Sequence, residues 1–193
     1  FPSSVLGFER HAPTPTIYHY MFGIQQDIGF GTVLDVSYVG TLGRHLMQSK
    51  NINTVPYGAR FLPQNQDRTS PGRPLPDNFF RPYPGYTNIS WYENVSTSNY
   101  NSLQVSANRR FARGFQFGLA YTWSKAMDYT DTDGGGVAVY RPLRVWNHGK
   151  AGFDQTHVFV LNYTWDLPKA SRLWDHAVAR HLLDNWQLSG ITS

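Results

Sequence analysis

The chain has no cysteine. Disulfide staples and thiolate metal sites are excluded, although an oxidising compartment is not, because disulfides are optional there. Charge is scarce too: 16% of the residues are Asp, Glu, Lys or Arg, against about a quarter in an average soluble domain. No run of about 18 apolar residues exists, so no helix is apolar enough to cross a membrane. The opening Phe1-Pro2-Ser3-Ser4-Val5-Leu6 has no basic start and no apolar core. It is not a secretory signal, and the chain reads as cut from something longer. The basic surplus is 17 against 13, a net +4. It is scattered, with Arg109-Arg110 as the densest pair, and no nucleic-acid partner is expected from it.

Catalytic and metal motifs are also missing. There is no Gly-x-Ser-x-Gly elbow, and Gly134-Gly135-Gly136 is not followed by Lys-Ser/Thr, so it is no phosphate loop. Histidines 11, 19, 45, 148, 157, 176 and 181 have no metal-ligand spacing. No enzyme activity and no cofactor are expected. The nearest approach to a metal site is Asp128, Asp131 and Asp133 beside the three glycines. Oxygen ligands suit calcium, but no Glu stands at a closing position, and the plainer reading is a solvated loop.

What the sequence does have is aromatic residues (16%), 17 Gly and 12 Pro, the composition of strands joined by turns. The dominant signal is a period of two. Tyr18, Tyr20, Phe22, Ile24 and Ile28 share one parity. Leu34, Val36, Tyr38 and Leu42 form a second set. Leu103, Val105, Ala107 and Phe111 alternate with Gln104, Ser106, Asn108 and Arg110. Phe115, Phe117, Leu119, Tyr121 and Trp123 alternate with Gln116, Gly118, Ala120, Thr122 and Ser124. Phe159, Leu161, Tyr163 and Trp165 oppose Asn162, Thr164 and Asp166, with Val158 and Val160 as exceptions. Trp186, Leu188 and Gly190 begin a last segment. Successive strand side chains point to opposite faces, so each segment carries one apolar and one polar face.

These segments run to about ten residues, the length that crosses a bilayer as a tilted strand. Their connections alternate. Gly29-Phe30-Gly31 and the three-residue loop Ala112-Arg113-Gly114 are tight, whereas about 43–97 and 125–155 are long. Long irregular loops are rare in compact soluble domains, while barrels of the outer membrane pair short periplasmic turns with long extracellular loops. The pattern predicts an all-β fold: an antiparallel up-and-down meander over 1–193, about six strands of a larger, partial transmembrane β-barrel. A short amphipathic helical turn is expected over Ser171 to Leu183.

This reading assigns sides to residues. Leu103, Val105, Phe117, Leu119, Tyr121, Phe159, Leu161 and Tyr163 face lipid. Gln104, Asn108, Gln116 and Asn162 face the lumen. Tyr18, Tyr20, Tyr38, Trp123, Tyr163 and Trp165 form interfacial girdles. The loop aromatics Phe79, Phe80, Tyr83, Tyr86, Trp91 and Tyr92 either meet a ligand or pack their own loop. The alternative is a soluble β-sandwich binding module, for example for carbohydrate, whose apolar face would be covered by a second sheet.

The segments Val33 to Leu46 (VLDVSYVGTLGRHL), Tyr100 to Phe111 (YNSLQVSANRRF), Gly114 to Lys125 and Phe153 to Tyr163 (FDQTHVFVLNY) together resemble the barrel of TonB-dependent outer-membrane receptors. The class is the Oar-like one, whose members carry a carboxypeptidase-regulatory-like domain. Asn185-Trp186-Gln187-Leu188-Ser189-Gly190-Ile191 resembles the strand that follows. The resemblance implies a barrel of about 22 strands, of which this chain is an internal piece, in the bacterial outer membrane. It implies outer-membrane lipid, a plug domain, TonB and an unknown solute as partners. A passive adhesin or structural barrel would differ from this only in lacking a TonB box.

Overall fold

The computed structural model describes residues 3–169 and 184–193. The helical reading of Ser171 to Leu183, with His176 and His181, lies outside them. Eight strands form one sheet: β1 (Ser3–Phe8), β2 (Thr16–Gly29), β3 (Thr32–Asn51), β4 (Tyr86–Ala112), β5 (Phe115–Asp128), β6 (Gly149–Lys150), β7 (His157–Asp166) and β8 (Gln187–Thr192). A five-residue helix α1 (Leu143–Asn147) precedes β6. The order β2-β3-β4-β5-β7-β8 is the meander that alternation predicts. Two short strands were not foreseen. β1 pairs parallel to β4, Ser3 to Phe8 beside Tyr86 to Tyr92, and β6 pairs with the end of β5 at Met127 and Asp128.

Both tight hairpins use the same device. Phe30-Gly31 between β2 and β3 has φ of 54° and 72°, and Arg113-Gly114 between β4 and β5 has 55° and 76°. Positive φ at both central residues defines the two-residue turn whose twist matches its strands. The second loop is therefore two residues rather than three, because Ala112 still belongs to β4. The connection from Leu167 to Trp186 starts at this same end, since Asp166 N donates to Gly114 O at 2.7 Å and Leu167 N to Trp186 O at 2.8 Å. It is not short, which departs from the simple alternation of short and long connections.

The strands also outrun their apolar alternation. β3 is 20 residues long and β4 is 27, so the irregular part of 43–97 is only 52–85. β5 likewise continues to Asp128. A backbone ladder needs no apolar side chains. Where both faces are polar, as in Arg44-His45 and Gln48-Ser49-Lys50-Asn51, pairing continues without a period-two signal.

Among the described residues there is no apolar core of the ordinary kind. Among the described residues, the buried hydrophobic ones are Ala59, Ala126, Val137 and Ala151, and the largest fully buried side chains are Gln48, Asn53 and Ser102. The described residues form one sheet with no second sheet on its apolar face, which removes the β-sandwich alternative. Two compact units divide the chain. One holds residues 19–40, 100–125 and 154–193; the other holds 1–18, 41–99 and 126–153.

Candidate functional site

The first unit is built on the β5–β7 ladder. Phe115 pairs with Trp165, Phe117 with Tyr163, Leu119 with Leu161, Tyr121 with Phe159 and Trp123 with His157. Directly opposed residues share a face, so the register gathers these side chains on one side. Leu119 and Leu161 stand at the centre. Phe115 and Trp165 close one end, and Trp123 and His157 close the other, where the Tyr121 hydroxyl and His157 Nδ1 share a 2.9 Å hydrogen bond. Nine paired positions span about 27 Å at about 3.4 Å per residue, or about 21 Å of height at a tilt near 40°; the apolar band of a barrel is about 25 Å tall. Near the tight turn the Arg109 guanidinium lies over the Phe115 ring, 5.4 Å from its centre, a cation–π contact.

The opposite face is polar. Gln116 Nε2 donates to Thr164 Oγ1 at 3.3 Å. A Cβ on Gly118 would stand 2.9 Å from Asn162 Oδ1 and 3.1 Å from Asn108 Oδ1, so the amides of Asn108 and Asn162 converge over a residue that lacks a side chain. Gln104 Nε2 donates to Ser102 Oγ, which donates to Val39 O, each at 3.3 Å. Leu103 and Val105 alternate with Gln104 and Asn108 along β4 and take the other face. Val158 and Val160 oppose Thr122 and Ala120 on the polar side.

One feature of the apolar side escaped sequence reasoning. Asn101 Oδ1 accepts from both the Tyr38 hydroxyl at 2.7 Å and the Tyr20 hydroxyl at 2.9 Å. The Tyr20 ring covers Gly40 so closely that any Cβ there would fall inside it. The signal available was the glycine itself. Inside an alternating strand it marks a place where a neighbour approaches the backbone, often an aromatic ring covering it.

The second unit buries polar groups. Gln48, fully buried, donates from Nε2 to Glu93 Oε1 at 2.9 Å, and Lys50 Nζ meets Glu93 Oε2 at 2.6 Å. Asn53, also fully buried, donates from Nδ2 to the carbonyls of Tyr83, Tyr86 and Thr87, each at 3.1 Å. Its Oδ1 accepts from Tyr83 N at 2.8 Å. Arg81 Nη1 donates to Asn53 O at 2.7 Å and also to Thr87 O. These bonds tie the two ends of 52–85 together. Asn147 does the same for 138–147: its Oδ1 accepts from Ala138 N at 2.8 Å, and its Nδ2 donates to Ala138 O at 3.0 Å and Leu143 O at 3.1 Å. Ser49 pairs with Gly136, with Ser49 N to Gly135 O at 2.9 Å and Gly134 N to Met47 O at 3.1 Å. The glycine run is thus bound along the edge of β3 and is not a free loop.

The aspartates beside it do not assemble. Among the described residues no three His, Asp or Glu groups converge on a metal position. Asp131 Oδ1 accepts from Gly152 N at 2.7 Å, and Asp133 is exposed. Asp128 titrates above its ordinary value: burial raises it most, the charge of Asp131 raises it further, and His148 pulls it down. The loop aromatics have divided roles. Tyr92 stacks on Phe8 with centroids 5.0 Å apart, Trp91 packs against Gly7, and Phe79, Tyr83 and Tyr86 are exposed.

No curated protein and no solved structure matches the chain. The model of one protein family, described as an outer membrane beta barrel domain, matches residues 1–193. That match agrees with the antiparallel meander β2-β3-β4-β5-β7-β8 of the described residues. The chain belongs to the outer-membrane β-barrel domain family, and its place is the bacterial outer membrane.

Proposed function

We propose that the chain is wall and loop material of a TonB-dependent outer-membrane transporter that takes up a solute and performs no catalysis. The observation that carries this reading is the two-faced β5–β7 ladder. Its apolar side has leucines at the centre and rings at both ends, the profile of lipid contact. Leu103, Val105, Phe117, Leu119, Tyr121, Phe159, Leu161 and Tyr163 then meet acyl chains. Gln104, Asn108, Gln116 and Asn162 face the lumen, where a plug or a solute supplies polar partners. The connections 52–85 and 129–156 lie outside the cell, and the turns at Phe30-Gly31 and Arg113-Gly114 lie in the periplasm. The resemblance of four strand segments to the Oar-like receptors supports energised uptake through TonB over a passive pore.

The test separates transporter from passive barrel. The full-length protein in detergent is passed over the immobilised periplasmic domain of TonB. Retention, lost when the region N-terminal to the barrel is removed, is the expected result. A folded barrel that TonB never retains overturns the transport reading while leaving the barrel intact.

A further inference from the structure

A cleft of about 470 Å3 opens between Lys50–Thr54 and Val139–Leu143, within the range of small-molecule sites. Both walls are fixed in advance. Asn53 anchors the first through its three carbonyl partners, and Asn147 anchors the second by bonding Ala138 and Leu143 on either side of it. Walls held this way lose little freedom when a ligand enters, so contacts made there are not offset by ordering.

The chemistry of the lining is one-sided. Residues 36–66 contain no Asp or Glu, and neither do residues 134–153. Two cations, Lys50 and Arg141, line the cleft. One Lys50 donor is taken by Glu93, which neutralises that pair. Arg141 has no acidic partner among the described residues, so the cleft keeps a net positive charge. The rest of the lining includes Ile52, Val139, Pro142 and Leu143.

We propose that this cleft binds a small organic anion, with its carboxylate or phosphate on the Arg141 guanidinium and its apolar or ring portion against Val139, Pro142 and Leu143. A guanidinium fork suits either oxyanion. Arg141 is the binding residue, and Asn147 is a positioning residue. The site does not depend on transport, because binding is read on the protein without TonB.

The experiment is calorimetric titration of the full-length protein in detergent with phenyl phosphate, benzoate and, as the uncharged control, phenyl glucoside. Both anions are expected to bind, and the glucoside about ten-fold more weakly or not at all. Arg141→Gln should weaken anion binding about ten-fold, the worth of one charged hydrogen bond. Arg144→Gln changes a neighbouring charge outside the lining and should leave binding unchanged. Asn147→Ala should weaken binding while removing no ligand contact, and Asn147→Gln, which keeps an amide able to donate to Ala138 O and to accept from Ala138 N, should weaken it less. Several outcomes overturn the proposal: neither anion binds, the glucoside binds equally, or Arg144→Gln is as damaging as Arg141→Gln. Binding confined to lipopolysaccharide, with both soluble anions refused, assigns the basic segments to the membrane surface and overturns it as well.

Discussion

The β5–β7 ladder and the Asn53 region invert the usual order of a soluble domain in two different ways. In the ladder, Phe159, Trp123 and Trp165 are exposed and large apolar groups have no partner layer. Around Asn53, the fully buried side chains are amides, and hydrogen bonds rather than apolar contacts fix the chain. The difference reflects two solvents. Hydrocarbon accepts apolar side chains at no cost but tolerates no unpaired backbone, so the ladder is regular. Water competes for every hydrogen bond, so loops there hold a shape only where a buried amide completes bonds that water cannot reach.

The largest expected effect breaks the loop region alone. Asn53→Leu removes the amide from Tyr86 O and Tyr83 N, while Thr87 O keeps Arg81 and Tyr83 O keeps Tyr86 N, at about 2–6 kcal/mol with each buried group at about 1–3 kcal/mol. Limited proteolysis should cut within 52–85 while the barrel still migrates as folded in an unheated gel. Loss of the folded barrel would show that the two regions are not separable. Leu119→Arg attacks the ladder instead. An arginine at mid-depth on a lipid face costs about 2–4 kcal/mol, so the folded fraction should fall with the loop cleavage pattern unchanged in the folded molecules. An unaffected folded fraction would put Leu119 on the lumen side.

Gly40→Ala is next, at about 1–3 kcal/mol for forcing the Tyr20 ring aside. Tyr20→Ala in the same chain should restore most of the loss, measured as the folded fraction in a urea series; no rescue would mean that the ring is not what Gly40 accommodates. Asp128 sharpens the comparison through pH. Its folded carboxyl titrates above its ordinary 3.8, so the folded form binds the proton more readily. The stability this contributes is present at low pH and is lost as pH rises from the ordinary value through the raised one. Protection factors over 128–153, taken relative to intrinsic exchange at each pH, should therefore fall across that interval, and Asp128→Asn should flatten the profile. A rise in protection with pH would reverse the sign and rule out burial as the cause. The smallest effect is Ala120→Ser on the polar face, within about 0.5 kcal/mol. A loss comparable to that of Leu119→Arg would mean that the two faces are assigned the wrong way round.

Much of the ladder was legible in advance. Residues 115–123 alternate without a break, and their partners 157–165 nearly so. A period of two decides which side chains share a face before any pairing is known. The glycines at 31 and 114 marked the hairpins, although the alternation could not show that Ala112 stays in its strand. The strand ends were less legible, because past Leu42 and before Tyr100 both faces are polar and the period disappears. The parallel partnership of β1 with β4 had no signal, since edge pairing is made by backbone groups that every residue carries.

The sequence by itself determined which side chains alternate and where the chain turns, because these depend on local spacing and composition; that the apolar face has no second sheet among the described residues was decided by the tertiary structure. Only the tertiary structure decided which polar side chains matter. Asn53, Asn101 and Asn147 are three asparagines among many, and nothing in their neighbours distinguishes them. Their role arises from acceptors and donors brought together across the chain: Tyr83 to Thr87 for Asn53, and Tyr20 and Tyr38 for Asn101. For Asn147 they are Ala138 and Leu143. A hydrogen bond needs its partner within about 3 Å and well aligned. That condition is met by folding, and no spacing along the chain expresses it.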